Sequence, residues 1–136
     1  MDVDTVRTMV KESAIFKGLE PLDLEVLIVK ADVREFSPGK TIYQKGEATG
    51  GTIALIASGT VHVVAENGYV LRELGAGEMI GEVGTISRQG KRTVTLTVVE
   101  PVEIIEWNIQ DIENTSPELM KRLKDLAWSR LKYYSE

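Results

Sequence analysis

The chain has 136 residues, 43% of them hydrophobic and 27% charged, with no cysteine and a formal net charge of −5. That length suits one domain with an ordinary core, and the lack of cysteine excludes disulfides and thiolate metal sites. The negative balance disfavours non-specific nucleic-acid binding, and no apolar run reaches the ~18 residues of a membrane span or forms a signal peptide, so the expectation is a single soluble, cytoplasmic domain.

Val6, Met9, Val10 and Phe16 predict a helix from Asp4 to about Phe16. Pro21 suits the first position of a second helix, in which Leu24, Leu27 and Ile28 follow helical spacing. The pattern changes near Val33. Eleven of the twelve glycines lie between Gly39 and Gly90, and they divide the middle of the chain into short β-prone runs. These are TIYQKGE (41–47), GTIALIASG (51–59), TVHVVAENG (60–68) and YVLRELGAG (69–77). Asn67-Gly68 marks a hairpin. RTVTLTVVE (92–100) alternates, and VEIIEW (102–107) follows Pro101. Many short strands at this spacing predict a sandwich or barrel.

Asn108 can cap a short helix to about Glu113, and Ser116 a longer one with Pro117 first. In the longer helix Leu119, Leu123, Leu126, Ala127 and Tyr134 share a stripe, widened by Met120 and Leu131. Trp128 falls on the opposite side. Arg130 falls inside the apolar stripe, where a charge needs a partner. The single histidine, His62, alternates with Val61 and Val63 and is expected to face outward; no metal site is expected around it.

The stretch GEMIGEVGTISRQGKRTV (77–94) carries the chemistry. Arg92 shares strand parity with Val94, Leu96 and Val98, so its side chain should enter near the interior and require an anionic partner. Residues 84–95 hold Arg88, Lys91 and Arg92 and no acid. Gly81 and Gly84 permit close backbone approach in a segment able to form one helical turn, an arrangement suited to phosphate. Glu82 in that turn would face a hydroxyl or the arginine. Two readings stay open on the residues alone: an external anion at Arg92, or a purely structural Arg92–Glu82 pair. Gly75-x-Gly77-x-x-x-Gly81 departs from the dinucleotide fingerprint by one residue and no long helix follows it; no P-loop is present.

Gly81-Glu82-Val83-Gly84-Thr85-Ile86 followed by Arg92-Thr93 resembles the phosphate-binding cassette of the cyclic nucleotide-binding domain family. IFKGLEPLDLEVL (15–27), FSPGKTIYQKGE (36–47) and IALIASGTVHVV (53–64), with Gly59, are similar to its entry helix and first strands. The resemblance implies a mainly β fold, a double-stranded β-helix jelly roll with an N-terminal helix and C-terminal lid helices. The divisions would be a helical entry at 4–32, β jelly roll at 33–107 and helices at 108–134. By position, Arg92 would meet the cyclic phosphate and Glu82 the ribose 2′-hydroxyl. Backbone N–H groups near Val83 and Gly84 would add contacts, Gly81 would open the turn, and Thr93 would lie beside phosphate or base. Lys91 stands where the family often has proline. Arg130 and Trp128, with Tyr133 and Tyr134, are candidate lid or base contacts.

The implied function is a non-enzymatic sensor of a cyclic nucleotide, cAMP favoured over cGMP, that repositions its C-terminal helices and needs no other cofactor. The alternative is a degenerate fold serving as a protein-interaction scaffold without nucleotide binding. A metal-dependent enzyme on a jelly roll would need more histidines than one. A catabolite-activator-like regulator would continue into a helix-turn-helix, and none is read here. No direct DNA binding and no membrane segment are therefore expected; the further partners implied are a second copy through the C-terminal helix or an effector protein.

Overall fold

The computed structural model describes residues 1–87 and 90–134, with side chains through Leu131. Two helices open the chain: α1 (Val3–Glu12) and α2 (Pro21–Lys30), joined through a 3-10 turn at Ala14–Phe16. The Asp2 carboxylate caps α1 by accepting from the Thr5 amide at 2.8 Å. The helix expected to run to Phe16 ends instead at Glu12, because Ser13 turns to an extended conformation and its hydroxyl donates to the Gly77 carbonyl at 2.9 Å.

Six antiparallel strands follow: β1 (Asp32–Phe36), β2 (Thr41–Tyr43), β3 (Thr52–Val64), β4 (Val70–Gly75), β5 (Met79–Ile80) and β6 (Thr95–Asn108). The main order is β1-β6-β3-β4, with β2 also on β6 and β5 also on β3. A short helix, α3 (Glu82–Ile86), interrupts the strands, and α4 (Ile109–Thr115) and α5 (Pro117–Tyr134) close the chain. Asn108 caps α4 and the Ser116 hydroxyl caps α5, as their sequence positions predict. The mainly β architecture with helices on either side of it in sequence is the one expected.

Strand β3 is buried on both faces, which explains the unbroken apolar run of Ile53–Ala57. Ile53, Leu55 and Ala57, with Ile105 and Trp107 of β6, pack under the helices. Trp107 donates to the Leu27 carbonyl at 2.7 Å and its ring lies 5.3 Å from that of Phe16. Ala54, Ile56, Val61 and Val63 belong to a second cluster with Leu96, Val98 and Ile104. That second cluster is the floor on which the site is built.

Two boundaries differ from the expectation. The runs 51–59 and 60–68 are largely one strand, and 92–100 and 102–107 join as β6. The apparent breakers, Gly59 and Pro101, meet across a register shift between β3 and β6. Gly59 has φ 93°, and a Cβ there would lie 2.1 Å from the Pro101 carbonyl oxygen. A proline cannot donate to the ladder, so it is tolerated at such an irregularity. Replacing Gly59 by Ala is therefore expected to cost on the order of 2–4 kcal/mol, read as a lower thermal midpoint by circular dichroism. A midpoint equal to that of the parent would contradict the steric argument.

Candidate functional site

Gly81 adopts φ 82° and starts α3 by turning the chain sharply after β5. A Cβ on Gly81 would lie 2.7 Å from Arg92 Nη1 and 2.8 Å from Tyr43 Cε2. One on Gly84 would lie 2.5 Å from the Lys91 carbonyl oxygen. The two glycines therefore allow α3 to press directly on the segment that carries Arg92. Glu82, Val83 and Gly84 are all buried at this contact.

Arg92 is only 4% exposed, as its parity with Leu96 and Val98 predicts, although β6 begins three residues later at Thr95. Of the two readings left open by the residues, the structural pair with Glu82 is not formed. Nη1 donates to the Thr52 carbonyl (3.0 Å), the Gly81 carbonyl (3.2 Å) and Thr85 Oγ1 (3.1 Å). Nη2 donates to the Thr49 carbonyl (3.0 Å) and Thr52 Oγ1 (2.8 Å). Nε–H is buried with no hydrogen-bond partner. The Tyr43 ring covers the guanidinium, with Cζ 3.5 Å from the ring centroid. These hydrogen-bond acceptors are all neutral oxygens. Burial lowers the Arg92 pKa, with Tyr43, Glu106 and Glu47 opposing that shift electrostatically.

Glu82, 1% exposed, pairs with the other stripe cation. Arg130 Nη1 donates to Glu82 Oε1 at 2.8 Å and to the Met79 carbonyl at 2.6 Å. Glu82 Oε2 is buried and unpartnered. Arg130, 5% exposed on α5, thus finds the polar partner its place among apolar residues demanded. Trp128 of the same helix, the other candidate lid or base contact, is 72% exposed and is not part of the pocket wall, because it lies on the side of α5 opposite the apolar stripe. The expected contributions of Arg88, and of the Tyr133 and Tyr134 side chains, fall outside the described residues.

Gly81, Glu82, Val83, Gly84, Arg92, Thr93 and Arg130 line one pocket. Its remaining wall is largely apolar, with Val63, Leu74, Ile80 and Leu96 from the second core cluster. Thr93 is half-buried in it. The free volume is about 20 Å³, room for about one water. His62 bonds instead to Glu73 at 3.0 Å across β3 and β4, away from this pocket. Sequence spacing missed Tyr43, Thr49, Thr52 and Thr85. The first three reach Arg92 from 40 to 49 positions upstream, and only the turn chemistry of TGGT (49–52) hinted at a constrained loop there.

A sheet of this order, with a glycine-led helical turn and a buried arginine beside an apolar pocket, is the fold of a cyclic-nucleotide-binding-type domain. The family model for the cyclic nucleotide-binding domain matches residues 33–116, and the chain belongs to that family. The chain is 39% identical over 84 residues to a cyclic nucleotide-gated cation channel protein of Drosophila melanogaster, covering 61% of this chain and 12% of that one. It is 29% identical over 99 residues to the cyclic AMP receptor protein of Thermus thermophilus, covering 70% and 45%. The chain therefore spans less than half the length of these relatives. Its fold matches the regulatory subunit of a cAMP-independent protein kinase A from Trypanosoma brucei with TM-score 0.84, at 22% identity, over 98% of this chain and 47% of that one.

Removing one partner of a buried ion pair strands the other. Arg130→Met is expected to cost about 3–5 kcal/mol in urea unfolding, most of it recovered in the double variant with Glu82→Gln. Additive losses in the double variant would show that the two side chains do not act as a pair.

Proposed function

We propose that the domain binds a cyclic nucleoside monophosphate, cAMP in preference to cGMP, and that binding repositions α5. The observation that carries this reading is a complementary pair of unsatisfied atoms in the residues of one pocket: the Arg92 Nε donor and the Glu82 Oε2 acceptor. Buried polar atoms are satisfied in the great majority of cases, and a pair left open in one pocket points to a ligand. An anion supplies the acceptor for Arg92, whose ordinary acceptors here are neutral. A hydroxyl supplies the donor for Glu82. A ribose cyclic phosphate carries both on one small, rigid body. The first-turn amides of α3, at Val83 and Gly84, are further donors for the phosphate.

The apolar wall favours adenine. Guanine brings an additional carbonyl and amino group, and one hydroxyl, that of Thr93, cannot meet both, since the Tyr43 hydroxyl is taken by Glu106 at 2.9 Å. The mechanical consequence follows from volume. A pocket of about 20 Å³ cannot admit a nucleotide, whereas small-molecule sites hold roughly 300 Å³ or more. Arg130 enters this pocket from α5, so shifting α5 is the direct way to open it. A ligand that binds the opened arrangement better biases the population toward it.

The small pocket volume also favours the second reading, a fold kept as a protein-interaction scaffold; the trypanosomal regulatory subunit of the same fold belongs to a cAMP-independent kinase. Isothermal titration separates the two. Saturable binding is expected, tighter for cAMP than for cGMP. Arg92→Ala should lose about 2–5 kcal/mol of affinity, and Arg92→Lys, which keeps the charge but not the fork, should also bind more weakly. No saturation at millimolar nucleotide would reject the sensor reading.

A further inference from the structure

Arg92 is oriented by more than its hydrogen bonds. Tyr43, at the end of β2, lies buried with its ring 3.5 Å from the guanidinium carbon, and its hydroxyl donates to Glu106 Oε2 at 2.9 Å. Glu106 sits on β6 opposite Asp32 of β1, and it also accepts from Arg34 of β1 at 3.3 Å. The ring is thus anchored at its far end to the rigid centre of the sheet. Along one edge, at Cε2, the ring also presses with Arg92 Nη1 on Gly81, where no Cβ fits. The guanidinium has little freedom left. Its Nη donors are committed to neutral oxygens and one face is covered, leaving Nε–H without a partner.

We propose that Tyr43 is a positioning residue of the ligand site: its ring clamps the Arg92 guanidinium in the one plane that keeps Nε–H free for an anionic ligand. A ring face attracts a cation without consuming any of its donors, which is how a buried arginine can be held in place and still present an open donor. A carboxylate in the position of Tyr43 would hold the arginine more strongly and would neutralise it. The β2 strand therefore takes part in ligand selection although it lies 38 positions before the cassette at Gly81. This inference rests on the anion-binding reading of the site, and the test below keeps the two apart.

The first measurement needs no ligand. In ¹⁵N-labelled protein the Arg92 Nε–H resonance, assigned by its loss in Arg92→Lys, should be shifted upfield by the Tyr43 ring and exchange slowly. Tyr43→Phe should keep both properties, and Tyr43→Leu should lose them. An Arg92 Nε–H at ordinary arginine position in the parent protein would overturn the clamp without any variant having to fold. The second measurement is titration with cAMP. Tyr43→Phe should bind within about twofold of the parent even though it loses the bond to Glu106 and melts earlier, whereas Tyr43→Leu should bind about 5- to 30-fold more weakly. Equal loss in both variants would overturn the proposal, because it would assign the effect to stability rather than to the ring. If the parent gives the shifted resonance but binds no nucleotide, the clamp stands and the nucleotide assignment falls.

Discussion

The structure depends on one buried charge that the protein does not neutralise. Arg92 is taken out of water and surrounded by threonine hydroxyls, backbone carbonyls and the face of a tyrosine ring. Desolvating a guanidinium is costly, and a carboxylate would be the usual remedy. The nearby buried carboxylate, Glu82, is held by Arg130 instead. The cassette thus keeps its cation and its anion from cancelling each other, and each retains one unsatisfied atom. The glycines follow from the same constraint. Gly81 and Gly84 are the positions where the helical turn touches Arg92 or its backbone, and a side chain at either would displace it.

The same arrangement ties the C-terminal helix to the pocket. Arg130 connects α5 to both Glu82 and the Met79 carbonyl through a single buried side chain. At its other end Arg122 ties the same helix to the Ile15 and Lys17 carbonyls near α1 and α2. The one helix thus bonds at one end to the glycine-led turn and at the other to the segment between α1 and α2. Two core layers flank the sheet: α1, α2 and most of α5 rest on Ile53, Leu55 and Trp107, while the pocket rests on the layer containing Val63 and Leu96, which Ala127 of α5 also joins.

Much of this was legible in the sequence because it is written in local chemistry. Parity placed Arg92 inside, the apolar stripe marked Arg130 as a charge in need of a partner, and Asn108 and Ser116 announced their caps. The ordered resemblance pointed to the fold. Pairings across the sheet were not legible. Gly59 and Pro101 read as boundaries between separate strands because each interrupts a β-prone run locally, and only their meeting at one irregularity lets both strands run on. The Glu82 partner was not legible for a similar reason: the residues left open whether Glu82 met Arg92 or a hydroxyl, and the tertiary fold brings Arg130 from 48 positions away. Tyr43 carried no signal at all, since an aromatic residue at a strand end is ordinary until the arginine is seen beneath it.

The most direct test is a crystal structure of the domain grown with cAMP. The account predicts a phosphate oxygen within hydrogen-bonding distance of Arg92 Nε, the ribose hydroxyl at Glu82 Oε2, and α5 displaced from its present seat. A nucleotide bound elsewhere, with Arg92 Nε still unpartnered and Arg130 unmoved on Glu82, would contradict it.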